Sequence, residues 1–387
     1  MEKVIGFNEK IALPVFQILD KMWREKTGIF KDVVLPQNLW IPDRWEQFSD
    51  KEKANFFFYA SLPMRGGLVS EDPFKWLCAL QNKFPELFNP QVVAETLVPK
   101  YIEECFKAIT SEILNGGGIG RLGAGSFGYK MKQHAQHWYE NSVILNTWWG
   151  ADIRNAFWGV PEFEEAFRRI DNQRTKIGFK GMRRKIFSLF TIFLQEKGLI
   201  PIFPCPIPVD FHAMRIFWQI ELIDMRGWAK KYEPTKAKHS QELAGRIGVR
   251  VWERIPNQIA IWSQKFLEAN QISHLTINPA LWVLSRTLCA EHLQTSSLKS
   301  GHEFFTAEKL KANPVLWSRN RKNPCEFCPV EQFCKWCIPA SPYYTDGWLI
   351  RIERVVHSSP RLRGIDWIDL GPPHKIRKDK NRGADRV

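Results

Sequence analysis

Two groups of residues have types and spacing suited to chemistry. The first is a lysine and a carboxylate within residues 177–216. Lys185 follows Phe179-Lys180-Gly181-Met182-Arg183-Arg184, whose glycine marks a tight turn, and Asp210 follows a proline-rich loop. A turn that opens into a helix aims backbone N–H groups at an anion. An amine and a carboxylate beside bound phosphate are groups that act on a nucleotide. The second group is made of thiols. Cys325, Cys328, Cys334 and Cys337 are separated by two, five and two residues, with Cys289 upstream. Thiolates at this density in a reducing compartment hold zinc or an iron–sulfur cluster. A structural zinc site on the four local cysteines is the simpler of the two.

The elements that must position these groups read as helices. Residues 9–26 place Ile11, Val15, Ile18, Leu19 and Met22 at helical spacing. The same period continues over 55–62, 73–84, 92–97, 101–114, 130–145 and 160–170. It returns over 236–272 and 279–293, the last carrying Cys289. Few segments alternate with period 2, so the expected fold class is mainly α. Residues 33–45 contain prolines and read as a linker, and 294–323 as an irregular insertion. Residues 118–123 spell a formal GxGxxG. No strand precedes it and no GK[ST] follows, so no nucleotide cofactor is expected there.

Lysine and arginine total 55 against 41 acidic residues, a net charge of +14 over 387 residues. Such an excess favours a polyanion, nucleic acid first and an anionic membrane surface second. The end of the sequence, 374–387, has six Lys or Arg against two Asp and adds phosphate affinity. Seventeen tryptophans supply large core fillers or platforms for bases. Met1-Glu2-Lys3 leads into a charged segment rather than a leader, and the longest apolar run, 186–194, is too short to cross a bilayer. The expectation is a cytoplasmic protein whose eight cysteines are reduced, so a cysteine cluster is read as a metal site before a disulfide framework. Cys78, Cys105 and Cys205 read as ordinary thiols.

Three motifs, in order along the chain, resemble those of the helix-hairpin-helix DNA glycosylases of the endonuclease III and adenine glycosylase type. Phe179-Lys180-Gly181-Met182-Arg183-Arg184-Lys185 is similar to their hairpin L-P-G-V-G-R-K. Val209-Asp210-Phe211-His212-Ala213-Met214-Arg215 is similar to their V-D-T-H-x-x-R. Ser285-Arg286-Thr287-Leu288-Cys289, followed by Cys325, Cys328 and Cys334, resembles their G-R-x-x-C and C-x2-C-x5-C cluster loop.

The resemblance implies a two-domain helix-hairpin-helix DNA glycosylase-like fold. Residues 50–198 would form a helical barrel ending in the hairpin. Residues 1–49 and 199–345 would form the iron–sulfur domain, and 346–387 a basic extension. It implies a [4Fe-4S] cluster on Cys289, Cys325, Cys328 and Cys334, with Cys337 as the alternative ligand and zinc as the alternative metal. It implies DNA as partner, duplex with one base flipped out, and excision of a modified or damaged base by N-glycosidic cleavage. Cleavage builds positive charge on the sugar, which the Asp210 carboxylate would stabilise. The Lys185 amine would either form a Schiff base, adding abasic-site lyase activity, or only contact phosphate. Gly181, Arg183, Arg184, Arg321, Lys322 and Lys335 would hold DNA, and Met64 and Arg65 would line the base pocket or wedge the duplex.

The sequence also departs from that pattern. Arg183 stands at the hairpin's second glycine, Pro63-Met64-Arg65-Gly66-Gly67 stands where the family has a glutamine-bearing loop, and Cys289 lies far upstream of Cys325. The departures at Arg183 and at 63–67 leave a second reading: a non-catalytic iron–sulfur nucleic-acid-binding protein on the same scaffold. In that reading Asp210 serves only as a helix N-cap.

Overall fold

A computed structural model describes residues 6–64, 71–115, 131–171, 177–210, 213, 216, 217, 220, 222–224, 255–285 and 328–333. These contain eleven α-helices: α1 (Glu9–Glu25), α2 (Pro36–Leu39), α3 (Asp50–Ser61), α4 (Glu71–Lys83), α5 (Pro90–Thr96), α6 (Pro99–Asn115), α7 (Met131–Trp149), α8 (Phe163–Ile170), α9 (Arg184–Glu196), α10 (Ile255–Ala269) and α11 (His274–Leu284). The described chain is mainly helical, as its periodicity predicts. Among the described residues the one two-stranded sheet is antiparallel, between β1 (Gly6–Phe7) and β2 (Ile223–Asp224). No helix among the described residues is long and apolar enough to cross a membrane.

α3 is the hub of one buried cluster. It opens on a capping box: Glu52 N–H donates to Ser49 Oγ at 3.3 Å, and Ser49 N–H donates back to Glu52 Oε2 at 2.8 Å. From Ala54 to Ser61 every side chain is buried, so the helix is covered on all sides. Its aromatics reach different neighbours. Phe57 meets Phe193 at 5.7 Å, Phe58 meets Phe179 at 4.7 Å, and Tyr59 stacks on Trp138 at 4.1 Å between centroids. Two of its buried polar side chains are matched: Tyr59 Oη pairs with Ser142 Oγ at 2.6 Å, and Asn55 Nδ2 donates to Ala151 O at 2.8 Å.

The second cluster gathers around α1, α10 and α11. Ala12, Val15, Phe16, Leu19 and Trp23 form the buried stripe of α1. The β1–β2 pairing and an Asn8 N–H bond to Leu222 O at 2.9 Å tie α1 to the chain that follows Asp210. Leu199, Ile200, Phe203 and Cys205 still pack with the first cluster, whereas Ile207 and Val209 belong to the second. The chain therefore crosses between clusters within the proline-rich loop.

Two elements differ from the sequence expectation. Residues 33–45 are packed rather than a free linker: Pro36 starts α2, Leu35 is buried, and Gln37 and Asn38 donate to the Glu196 carboxylate at 2.9 and 2.7 Å. A side chain 158 residues away thus orders the stretch. The helix expected to begin at 279 starts at His274 instead, because Ser273 Oγ accepts from Leu275 N–H at 3.2 Å and leaves Pro279 inside it.

Candidate nucleic-acid and base-release site

The hairpin is built on α8. Its buried stripe Phe163, Ala166, Phe167 and Ile170 holds it against the first cluster. Beyond it, Asp171 and Phe179 form an isolated parallel bridge, and Phe179 N–H donates to Ile170 O at 3.0 Å. Phe179 is fully buried and anchors the turn. Asn141 of α7 then grips the next residue on both sides. Its Oδ1 accepts from Lys180 N–H at 2.6 Å and its Nδ2 donates to Lys180 O at 3.0 Å. Gly181 turns the chain at φ +84°, in the region that favours glycine.

α9 begins directly after this turn. Arg183 occupies its N-cap in an extended conformation, and no side chain caps the helix. The first-turn amides of α9 thus lack a side-chain acceptor, and no acidic residue stands in that turn. Lys185 is the second residue of the helix and is half-buried; Arg183 is exposed. Neither side chain makes an ion pair or hydrogen bond among the described residues.

Arg184 behaves differently. Its Nη2 donates to Glu164 Oε2 at 2.7 Å and its Nη1 donates to Glu164 Oε1. The guanidinium also lies 5.0 Å from the Phe167 ring centroid and 5.9 Å from that of Phe163. A planar cation that forks a carboxylate and covers two rings binds α9 to α8. Sequence reasoning assigns Arg184 to DNA. In the structure its charge is matched by Glu164, and the pair ties α9 to α8.

The C-terminal end of α9 closes in a Schellman motif: Leu199 N–H donates to Leu194 O at 2.9 Å, Gly198 N–H donates to Gln195 O at 3.1 Å, and Gly198 has φ +66°. The loop over 201–208 contains four prolines and is mostly buried. Proline has no N–H, so a buried loop made of it needs partners mainly for its carbonyls. Those partners are side chains. Gln195 Nε2 donates to Phe203 O at 2.9 Å, Gln264 of α10 donates to Pro204 O at 3.1 Å, and Ser188 Oγ donates to Pro206 O.

This loop delivers Asp210. Its Oδ1 accepts from Ala213 N–H at 3.1 Å, an N-cap for the helical turn whose Ala213, Ile216 and Phe217 are buried in the second cluster. Ser188 lies one turn after Lys185 on the same face of α9. Pro206, which Ser188 holds, is four residues before Asp210, at most about 14 Å of extended chain. Lys185 thus lies one turn before the residue that holds the chain four residues ahead of Asp210.

A narrow recess lies beside the hairpin, lined by Leu62, Pro63, Trp76, Phe106, His134, His137, Trp138 and Lys180. Its rings pack edge to face: Trp76 on Phe106 at 4.8 Å and Phe106 on Trp138 at 5.3 Å. Sequence reasoning missed it. The usable signal was the pair His134 and His137, three apart and so on one face of α7. Met64 closes the turn after α3, its N–H donating to Ser61 O at 3.1 Å, and so follows Pro63 at this recess. Arg65 lies outside the described residues.

Of the five candidate metal ligands only Cys328 is described; Cys289, Cys325, Cys334 and Cys337 lie outside, as do Arg321, Lys322 and Lys335. Cys328 is half-buried and packed against the second cluster. Its carbonyl accepts from Glu331 N–H at 3.2 Å, and the next turn buries Val330. Among the described residues no three ligating side chains converge. The donor chemistry at Cys328, an apolar-backed thiol in a tight turn, fits a thiolate-held metal group. Cys78, Cys105 and Cys205 are buried, and burial pushes their thiols up, which keeps them unreactive. The residues 118–123 and 374–387 also lie outside the described part.

No protein-family model matches this chain, and no curated protein or solved structure matches it.

Proposed function

We propose that the protein is a DNA glycosylase of the helix-hairpin-helix type that excises a modified or damaged base. The observation that carries the reading is Lys185, placed in the first turn of an uncapped helix behind the left-handed Gly181. The next turn of that helix holds the loop leading to Asp210. Uncapped amides with Arg183 suit a phosphate of the DNA backbone. As the C1′–N bond lengthens, the departing base takes the electron pair and the sugar becomes cationic. The Asp210 carboxylate stabilises that charge. Water attacks C1′ in the monofunctional case; the Lys185 amine attacks in the bifunctional case and leaves a Schiff base. Cys289, Cys325, Cys328 and Cys334 would hold a [4Fe-4S] cluster, with Cys337 as the alternative ligand, and the cluster's contribution would be structural.

Base release from duplexes carrying modified bases tests the proposal, with Asp210→Asn as the control. The expected result is release by the wild type, with DNA binding kept and release lost in Asp210→Asn. Release by neither form, with binding intact in both, points to the second reading. One observation favours that second reading, a non-catalytic nucleic-acid-binding protein: Asp210 already has a structural task as the cap of Ala213.

A further inference from the structure

The recess beside the hairpin has aromatic walls and three basic residues in its lining, His134, His137 and Lys180. The indole N–H groups of its walls are engaged elsewhere: Trp76 Nε1 donates to Thr110 Oγ1 at 3.1 Å, and Trp138 Nε1 donates to Leu87 O at 2.8 Å. No carboxylate of α4, α6 or α7 belongs to the lining. Glu103 and Glu112 of α6 pair with Lys107 and Lys83 at 2.7 and 2.6 Å, Glu104 is exposed, and Glu140 of α7 accepts from Gln136 Nε2 at 2.9 Å. An ammonium only donates, and an imidazole donates from at least one nitrogen. A recess of one charge sign between low-dielectric walls concentrates its field on an anion.

Size and position narrow the occupant. The recess measures about 10 Å³, room for one water-sized group, whereas an aromatic ring needs on the order of 150 Å³. It takes one oxygen of an anion and not a base. His134 and His137 share the face of α7 on which Asn141 grips the Lys180 backbone. Both histidines therefore flank the hairpin. Lys180 precedes Arg183, the N-cap of α9, by at most about 11 Å of extended chain, and the turn at Gly181 shortens that span. A DNA strand carries one phosphate per about 3.4 Å of helix axis. A strand with one phosphate at the α9 amides thus has others within reach of the recess.

We infer that His134, His137 and Lys180 form a second phosphate subsite of the DNA interface, taking one oxygen of a backbone phosphate close along the strand from the one at the α9 amides. The inference rests on the DNA-binding part of the proposed function. It is tested with the full chain by measuring Kd for a duplex at several salt concentrations and Kd for inorganic phosphate by calorimetry. Asn141 holds Lys180 through its backbone, so changing the side chain leaves that grip in place. Lys180→Gln is expected to reduce the slope of log Kd against log salt by about one, and Lys180→Arg to keep it. The double variant His134→Gln, His137→Gln is expected to bind the duplex about tenfold more weakly at the wild-type unfolding temperature. Should the histidine pair lower stability, the two Lys180 variants decide alone. Equal Kd and slope in wild type and Lys180→Gln overturn the inference while leaving the proposed function standing. A wild type that binds no duplex overturns both. Base release lost in the variants with duplex affinity unchanged overturns it in favour of a contact with the base. Inorganic phosphate binding lost in the variants with duplex affinity unchanged overturns it in favour of a site for free phosphate.

Discussion

His274 Nε2 lies 2.6 Å from Gln195 Oε1, and this one hydrogen bond joins α11 of the second apolar cluster to α9 of the first. Gln195 uses its amide nitrogen on the carbonyls of Pro201 and Phe203, at 3.3 and 2.9 Å. Its oxygen is therefore the acceptor, and the imidazole proton sits on Nε2. A single amide thus reads both the proline-rich loop and the tautomer of a histidine across the seam.

This relationship makes stability pH-dependent. Burial holds the His274 pKa down to about 4, against an ordinary histidine value of 6.5. Between those values the unfolded chain binds a proton that the folded chain refuses, so stability falls as pH falls through the window. The full loss is about 3 kcal/mol, reached near pH 4. Urea unfolding of wild type and His274→Gln at pH 7, 5.5 and 4.5 checks this. The wild type is expected to lose stability relative to the variant as pH falls, and a constant difference would show that His274 titrates as it does in the unfolded chain.

Asp210 separates capping from chemistry by choice of substituent. Asparagine caps a helix about as well as aspartate, so Asp210→Asn is expected to unfold at the wild-type temperature. Asp210→Ala loses the bond to Ala213 and about 1 kcal/mol. Base release is expected to drop about a hundredfold or more in both, because neither retains a negative charge beside the sugar. If Asp210→Asn releases base at the wild-type rate, the carboxylate has only its structural role.

Arg183 and Arg184 are neighbours in sequence with different expected behaviour. Arg183→Ala removes an exposed cation at the α9 N-cap and is expected to reduce the salt slope of DNA binding by about one, with little effect on stability. Arg184→Ala breaks the fork to Glu164, whose partners are 19% and 41% exposed in their side chains, and costs about 1 kcal/mol after allowance for that exposure. Arg184→Lys does not restore it, since an ammonium cannot fork a carboxylate. Equal salt slopes for wild type and Arg183→Ala would remove Arg183 from the DNA interface.

Metal analysis of protein purified without oxygen addresses the thiols. About four irons per chain are expected, falling sharply in Cys325→Ser and Cys328→Ser. Comparing Cys289→Ser with Cys337→Ser identifies the remaining ligand. Zinc in place of iron would overturn the iron–sulfur assignment and turn the proposal toward a zinc-containing DNA-binding protein.

Much of this protein is written locally. Ser49 and Glu52 start α3, the stripe from Ala12 to Trp23 makes α1 amphipathic, and Gly181 marks the turn before α9. Each depends on residues within about four positions, the range over which backbone hydrogen bonds and caps operate. The capping role of Asp210, three residues from Ala213, is equally local and legible in the sequence. Tertiary structure decided the rest. Arg184 finds Glu164 20 residues away, Gln37 finds Glu196 across 159, and His274 finds Gln195 across 79. The recess takes its wall from α3, α4, α6, α7 and the hairpin together. No local propensity encodes such meetings. They arise when two apolar clusters bury their surfaces and each polar group carried inside must find a partner, wherever along the chain it lies.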